Sequence, residues 1–256
     1  MLITGGSSGI GLALAEQCAV RGAAVSIVAR DPDRLEAARA GIGGSRVAAA
    51  PADVTDPVAL GAAFAVLGAA HGPVDVLVTC AGSATPGRFV DLDDAVFRDQ
   101  MEVDYFGSLH AVRAVVPGMV QRRHGHVVLV ASTVAFVGIY GYSAYAPAKH
   151  AVRGLAETLR PELRPHGITV ACAYPPDTDT PGFARENEQK PEVTRRISGG
   201  IAPRSAASVA AAIVKGIESD RLVITADPAT ATLARAGGVM GPALRRWLDR
   251  HVPEGG

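Results

Sequence analysis

The chain has 256 residues, of which 48% are hydrophobic, and its 25 Lys and Arg residues balance its 25 Asp and Glu residues. This zero net charge argues against a nucleic-acid-binding protein and against electrostatic attachment to an anionic surface. Three dispersed cysteines exclude a disulfide framework or a metal cluster. No apolar run is long enough to cross a bilayer. We therefore expect a cytoplasmic protein without a signal peptide, and peripheral membrane contact stays open.

A short apolar run at the N-terminus leads into a glycine-rich turn and then a helix. Met1 to Ile3 predict a strand of three residues, shorter than the usual length of about five or six. We therefore expect that the start of the sequence is wrongly assigned or that a few upstream residues are missing. The turn has the spacing Gly-x-x-x-Gly-x-Gly, which lets backbone N–H groups and the positive helix end approach a phosphate. An ordinary surface turn is the alternative. The candidate cofactor-binding residues here are Gly5, Ser7, Ser8, Gly9, Ile10 and Gly11.

Largely apolar runs and helical stretches then alternate along the chain. Such runs are typical of parallel strands buried on both faces. The pattern predicts an α/β fold of one domain, a Rossmann-type doubly wound parallel sheet with helices on both faces. The predicted strands are 25–29, 47–50, 76–79, 127–130 and 168–173, and the predicted helices are about 32–40, 57–70, 92–121 and 143–165. We expect a single NADP-binding domain over 1–256, with a substrate lid over 177–203 and a helical extension over 226–256.

Candidate functional residues follow several of these strands. Ligands of doubly wound sheets bind outside the carboxyl ends of the strands, so residues at these ends should converge on one edge. Those residues are Arg30, Asp53 and Val54, Ala81 and Gly82, Ser132, and Pro175.

The residues after the second strand indicate which dinucleotide is bound. An acidic residue about 20 positions past the glycines is typical of NAD-binding folds, but Ala29 stands there and Arg30 follows it. Arg30 could pair with a 2′-phosphate in bidentate fashion, with Arg34 as a second candidate. Asp31 and Asp33 are counter-evidence, because either could reach a ribose. The balance favours NADP(H).

A serine, a tyrosine and a lysine near the middle of the chain predict the chemistry. Tyr145 and Lys149 are four residues apart on a predicted helix and therefore share one face. The Lys149 ammonium should pull the Tyr145 pKa down from its ordinary value near ~10. With Ser132 holding the substrate oxygen, Tyr145 could pass a proton to a carbonyl. Tyr142 is rejected as the acid because no lysine follows it at the same spacing, and we expect it to line the substrate cleft.

Together these motifs resemble those of the short-chain dehydrogenases/reductases, from Thr4 to about Ile224. The run Pro175-Pro176-Asp177-Thr178-Asp179-Thr180-Pro181-Gly182-Phe183 is most similar to the 3-ketodihydrosphingosine (3-ketosphinganine) reductase branch, since most members have Pro-Gly at 175–176. The resemblance implies NADPH-dependent reduction of a ketone to a secondary alcohol, with a long-chain keto-amine as the substrate. It also implies a homodimer or homotetramer.

The resemblance assigns further roles. It implies that Lys149 binds the nicotinamide ribose and that Asp53 contacts adenine, although Asp53 could equally be a helix-cap or turn residue. Thr178 and Thr180 join Pro175 as cofactor-binding candidates. Asp104 stands where the family usually has an Asn of the proton relay, and if buried it needs a partner such as Lys149 or a raised pKa.

The acidic residues of the predicted lid bear on the substrate. Asp177 or Asp179 could attract the ammonium group of a 2-amino-3-ketone, or these acids could instead cap a lid helix. The stretch 229–252 could form a core-covering helix pair, a dimer surface or an interfacial helix.

Two other functions stay open. A non-catalytic NADP-sensing protein would be expected to lose the catalytic Tyr or Lys, and this chain keeps both. An alcohol dehydrogenase or reductase acting on a steroid, sugar or keto-ester would keep the same machinery.

Overall fold

The computed structural model describes residues 1–44, 46–199 and 202–236. Its centre is a seven-stranded sheet in the order β3-β2-β1-β4-β5-β6-β9, in which every pairing is parallel. The strands are β1 (Leu2–Thr4), β2 (Val25–Ala29), β3 (Val47–Pro51), β4 (Val76–Thr79), β5 (Gly125–Val130), β6 (Ile168–Tyr174) and β9 (Val223–Thr225).

Helices pack on both faces of this sheet, in two hydrophobic clusters. They are α1 (Gly9–Val20), α2 (Pro32–Ile42), α3 (Pro57–His71), α4 (Asp94–Met101), α5 (Gly107–Arg122), α6 (Tyr145–Leu163) and α9 (Ala206–Glu218). The predicted α/β doubly wound fold is therefore confirmed. Among these helices, α2 and α3 begin with an aspartate cap followed by proline, Asp31-Pro32 and Asp56-Pro57, which satisfies the first free N–H groups and sets φ for the helix.

The structure divides the predicted helix 92–121. A five-residue π-helical stretch, Glu102–Phe106, lies between α4 and α5. Such wide turns occur often at functional sites, and this one carries Asp104. The buried β5 strand matches the expectation of a strand covered on both faces, because all six of its residues are buried.

The segment after β6, predicted as a lid over 177–203, has secondary structure of its own. It contains α7 (Pro181–Gln189) and α8 (Glu192–Ser198), and the short strand β7 (Thr178–Asp179) pairs with β8 (Arg204–Ser205) just after the predicted segment. Beyond β9, residues 228–236 are helical, and the rest of the predicted C-terminal extension, 237–256, lies outside the described residues. In the described ranges no helix is long and apolar enough to span a membrane.

Candidate active site

A cavity of about 560 Å³ opens at the carboxyl ends of the central strands. It lies where the strand order reverses between β1 and β4, the position at which doubly wound sheets bind ligands. Three of the four predicted catalytic residues and all predicted cofactor-binding residues line it, namely Gly5, Ser7, Ser8, Gly9, Ile10, Gly11, Arg30, Arg34, Asp53, Val54, Ala81, Gly82, Ser132, Tyr145, Lys149, Pro175, Thr178 and Thr180. Asp104 lies behind this wall. The fold thus brings the predicted residues together, while their roles stay predictions.

The glycine turn forms one end of the cavity. Gly5 has a φ of +70° and donates from its amide to the Val28 carbonyl at 2.7 Å. A Cβ at Gly5 would lie 2.7 Å from the Ala81 nitrogen, and one at Gly11 would collide with the Gly5 carbonyl oxygen. Ser8 precedes α1 and makes no side-chain capping bond. The turn is therefore a cradle of bare backbone at a positive helix end, which suits a phosphate.

Arg30 follows β2 and lines the cavity with a largely exposed side chain. Its guanidinium lies 3.8 Å from an Asp53 carboxylate oxygen, and its side chain is 69% exposed. Asp31, a competitor for the ribose, instead caps α2 by accepting from the Asp33 and Arg34 amides. Asp53 accepts from the Thr55 amide at 2.9 Å and from the Thr55 hydroxyl at 2.8 Å, so it is a turn residue that also lines the cavity.

Tyr145 and Lys149 lie one turn apart at the start of α6 and face the end of β5. The Lys149 ammonium is buried, 3.1 Å from Asp104, 3.2 Å from the Val130 carbonyl and 5.6 Å from the centre of the Tyr145 ring. Ser132 follows β5, and its hydroxyl accepts from the Val134 amide at 3.4 Å. A phenol, a hydroxyl and an ammonium thus share one cavity wall.

The expectation that Lys149 leaves Tyr145 with a lowered pKa is wrong. Burial raises the pKa of Tyr145 to about 12. The Lys149 charge and a hydrogen bond with Ser132 act in the expected downward direction, but burial outweighs them and the nearby Asp104 charge adds to the rise. The phenol therefore keeps its proton at neutral pH, which is the state that a proton donor to a carbonyl requires.

Asp104 is completely buried beside Lys149. Its carboxylate pairs with the Lys149 ammonium, accepts from the Ser83 amide at 3.3 Å, and accepts a hydrogen bond from the Gln100 side chain. Burial raises the pKa of Asp104, against the opposing effects of Lys149, Gln100 and Ser83. Burial would lower the pKa of Lys149, but the Asp104 carboxylate and, once it is ionised, Tyr145 outweigh this effect and the pKa is raised. Lys149 therefore stays an ammonium.

Gly82 makes room for this ion pair. A Cβ at Gly82 would lie 2.5 Å from an Asp104 carboxylate oxygen and 3.3 Å from the Lys149 nitrogen. The glycine is thus required by the close approach of the buried pair.

Gln100 is a site residue that the sequence reasoning missed. Its buried side-chain nitrogen donates to the Ser83 carbonyl at 2.6 Å and to Asp104, and its oxygen accepts from the Thr85 amide at 3.1 Å. The sequence signal that could have identified Gln100 was its position four residues before Asp104, on the same helical face. It fixes both Asp104 and the loop after β4.

The segment predicted as a lid contributes a second group of charges, centred on Lys190, which the sequence did not predict. The Lys190 side chain is only 1% exposed, with its nitrogen 3.0 Å from Glu186, 3.9 Å from Asp177 and 4.2 Å from the centre of the Phe183 ring. The Tyr142 hydroxyl donates to Glu186. The i,i+4 spacing of Glu186 and Lys190 was the available signal.

This lid cluster revises the expectation for the lid acids. Thr180 caps α7 by accepting from the Phe183 amide at 3.1 Å, so neither Asp177 nor Asp179 caps that helix. Asp179 is exposed on β7, whereas Asp177 and Glu186 line the cavity. Tyr142 also lines it, as predicted, with its ring centre 5.8 Å from that of Tyr145.

Comparison with known proteins places these features in context. The family model for short chain dehydrogenases matches residues 1–191. A 3-ketodihydrosphingosine reductase of Dictyostelium discoideum is 39% identical, over 95% of this chain and 78% of the relative. A 3-dehydrosphinganine reductase of Danio rerio is 41% identical, over 84% of this chain and 67% of the relative. The structure also resembles a short-chain dehydrogenase from Sphingobium yanoikuyae solved in complex with NADPH, with a TM-score of 0.80 and 29% identity over 100% of this chain and 96% of that one.

Proposed function

The chain belongs to the short-chain dehydrogenase family, and on that premise we propose that it is an NADPH-dependent reductase of a 3-ketosphinganine-like ketone. The observation that carries the proposal is the shared cavity, which is lined by the glycine cradle and by Ser132, Tyr145 and Lys149. The product would be the secondary alcohol at the position of the ketone.

The residues present fit a phosphorylated dinucleotide. The backbone cradle at Gly5 and Gly11 has space only because no Cβ fills it. This space supports the proposal that the pyrophosphate binds there. Arg30, exposed at the adenosine end, is proposed to bind the 2′-phosphate, with Arg34 nearby. Lys149 is proposed to hold the nicotinamide ribose. When bound, NADPH supplies the hydride that forms the new C–H bond at the ketone carbon.

The protein's own part is to handle the proton. Ser132 would donate a hydrogen bond to the substrate oxygen and fix its position against Tyr145. As the carbonyl oxygen gains the electron pair of its π bond, it would take the Tyr145 proton and become a hydroxyl. The phenolate that remains would lie beside the Lys149 ammonium, which Asp104 holds in place. Regaining a proton from solvent would complete the cycle.

The lid cluster supports an amino-ketone as the substrate. Asp177 and Glu186 carry two negative charges against the single positive charge of Lys190, so the cluster has a net charge of −1 when all three are ionised. Asp177 and Glu186 line the cavity that contains Tyr145. An ammonium on the carbon next to the ketone would offset this charge, whereas a neutral ketone would not. Glu186 and Asp177 are therefore our candidates for recognising the amino group, and Asp179 is not.

The location and assembly belong to the same proposal. Cys18, Cys80 and Cys172 are all free, which supports a reducing compartment such as the cytoplasm. Assembly as a homodimer or homotetramer is proposed from the family resemblance.

The direct test is NADPH consumption with a water-soluble, shortened 3-ketosphinganine. Reduction to the amino-diol, confirmed by mass spectrometry and lost in Tyr145→Phe, is the expected result. A protein that binds NADPH tightly but reduces no ketone would contradict the proposed function and favour a sensor.

A further inference from the structure

A second, largely apolar cleft of about 790 Å³ lies beside the catalytic cavity. One wall is the stretch 88–90 ahead of α4, and the other is formed by 138–143 together with Ala146, Pro147 and His150 of α6. The two walls are joined because the Gly87 amide donates to the Gly141 carbonyl at 2.9 Å. The cleft is therefore built by two segments that the backbone holds in a fixed relation.

The cleft borders the catalytic cavity. Ile139 and Tyr142 line both spaces. The Tyr142 ring centre lies 5.8 Å from that of Tyr145, the proposed proton donor. A molecule whose carbonyl lies at Tyr145 would enter the cleft by passing Tyr142 and Ile139.

The lining suits hydrocarbon. Phe89 is 70% exposed and Val90 is 79% exposed, so two neighbouring large apolar side chains face solvent at the outer end. Two of the polar lining residues already have partners within the protein. Arg88 binds Asp91 at 2.5 and 3.0 Å, and the His150 ring lies 2.9 Å from the Ala146 carbonyl.

Ser143 is another polar member of the lining. Its hydroxyl is shielded from solvent without a partner among the residues of 1–44, 46–199 and 202–236. Because this hydroxyl is already shielded, an alkyl chain in the cleft would not bury it further.

We propose that this cleft binds the alkyl chain of the substrate, so that Tyr145 meets the ketone while the chain extends past Ile139 towards Phe89 and Val90. The inference rests on the proposed function, because it takes the occupant to be the tail of the same amino-ketone. It assigns a binding site for an unbranched hydrocarbon to a surface separate from the cofactor cradle.

Gly138 offers a way to fill the cleft. A Cβ built at Gly138 has no heavy atom within 4 Å and its backbone is not left-handed, so Gly138→Leu should project into the cleft without a clash. Gly68 on α3 is equally open and lies outside the cleft lining, so Gly68→Leu is the matched control. Val90→Asp is a second test that leaves the core untouched, because Val90 is exposed.

The experiment measures binding of 2-amino-1,3-diols with 6 to 12 carbons, in ~2-carbon steps, to the NADP⁺-saturated protein by calorimetry. Complete burial of a methylene strengthens binding about fourfold, and half burial about twofold. We therefore expect at least about 60-fold tighter binding across six methylenes in the parent protein and in Gly68→Leu. Gly138→Leu and Val90→Asp should each reduce this gain at least about tenfold.

Binding that does not depend on chain length, or an unchanged gain in both cleft variants, would overturn the proposal. The proposal would also be overturned if Val90→Asp changed the oligomeric state, measured by sedimentation, while the gain in affinity with chain length stayed intact. The cleft would then face a second copy of the chain. Turnover of the matching ketones is recorded in parallel. If affinity rises with chain length but no ketone is turned over, the alkyl-binding role of the cleft is supported and the proposed reaction is contradicted. If ketones are turned over but affinity does not rise with chain length, the proposed reaction is supported and the role of the cleft is contradicted.

Discussion

Replacing Asp104 by asparagine should destabilise the protein, even though the two side chains have nearly the same shape. The change leaves the buried Lys149 ammonium without its carboxylate partner at 3.1 Å. The change also places the NH₂ group of the new asparagine next to the Gln100 side-chain nitrogen. Both groups are hydrogen-bond donors, so they face each other unless the Gln100 amide rotates and gives up its bond to the Ser83 carbonyl. Removing one partner of a buried ion pair costs about 3–5 kcal/mol. For a chain of this size each kcal/mol lowers Tm by about 2–4 °C, so a fall of roughly 6–20 °C is expected.

Thermal unfolding followed by circular dichroism gives the comparison. Glu157→Gln removes one partner of the exposed Arg153–Glu157 pair, whose atoms are 2.7 Å apart, and should cost no more than about 1 kcal/mol. A Tm for Asp104→Asn within about 2 °C of that control would refute the reasoning. The pH profile is a second readout. Asp104 helps to raise the pKa of Tyr145, so its loss should lower that pKa and move the alkaline fall in kcat/KM to lower pH.

Three other substitutions test the proposed roles. Tyr145→Phe should lower kcat by at least about 10²–10⁴-fold while NADPH binding, measured by fluorescence, stays nearly intact; retention of most of the activity would exclude Tyr145 as the acid. Arg30→Ala should weaken NADPH about tenfold or more and NADH far less, because a hydrogen bond to a charged group contributes roughly 1.5–3 kcal/mol; equal weakening in parallel titrations would show that Arg30 does not read the 2′-phosphate. Glu186→Gln should reduce the preference in kcat/KM for a 2-amino-3-ketone over its des-amino analogue, whereas the exposed Asp179→Asn should not. An unchanged preference in Glu186→Gln and in Asp177→Asn would remove the lid cluster from amine recognition.

The fold was predictable because its signals are local. Apolar runs such as 25–29 and 76–79 match β2 and β4 residue for residue, since strands covered on both faces tolerate little else. The glycine turn and the Tyr145–Lys149 spacing were equally readable, because each depends on a few neighbouring residues. The polar stretch after β6 was less readable. Its helices are short, and α7 depends on the Thr180 cap rather than on a long apolar stripe.

The electrostatics of the site could not be predicted from the sequence. The pKa of Tyr145 depends on how deeply the fold buries it, and one helical turn of sequence carries no information about that depth. Lys190 lies in a polar run and would be expected to face water, yet it is enclosed by Asp177, Glu186 and Phe183. Gln100 stands four residues before Asp104, but its burial and its bonds to Ser83 and Thr85 depend on the tertiary fold.

The narrow space at Gly82 has a consequence for how this sequence can change. Any side chain there would meet the Asp104 carboxylate, which in turn holds Lys149. Substitutions at the three positions should therefore be epistatic, with effects that do not add, because each alters the space or charge available to the others. An exchange at Gly82 that is harmful alone could be rescued by a smaller residue at 104. A mutant library that varies these positions together would reach sequences that stepwise substitution would discard.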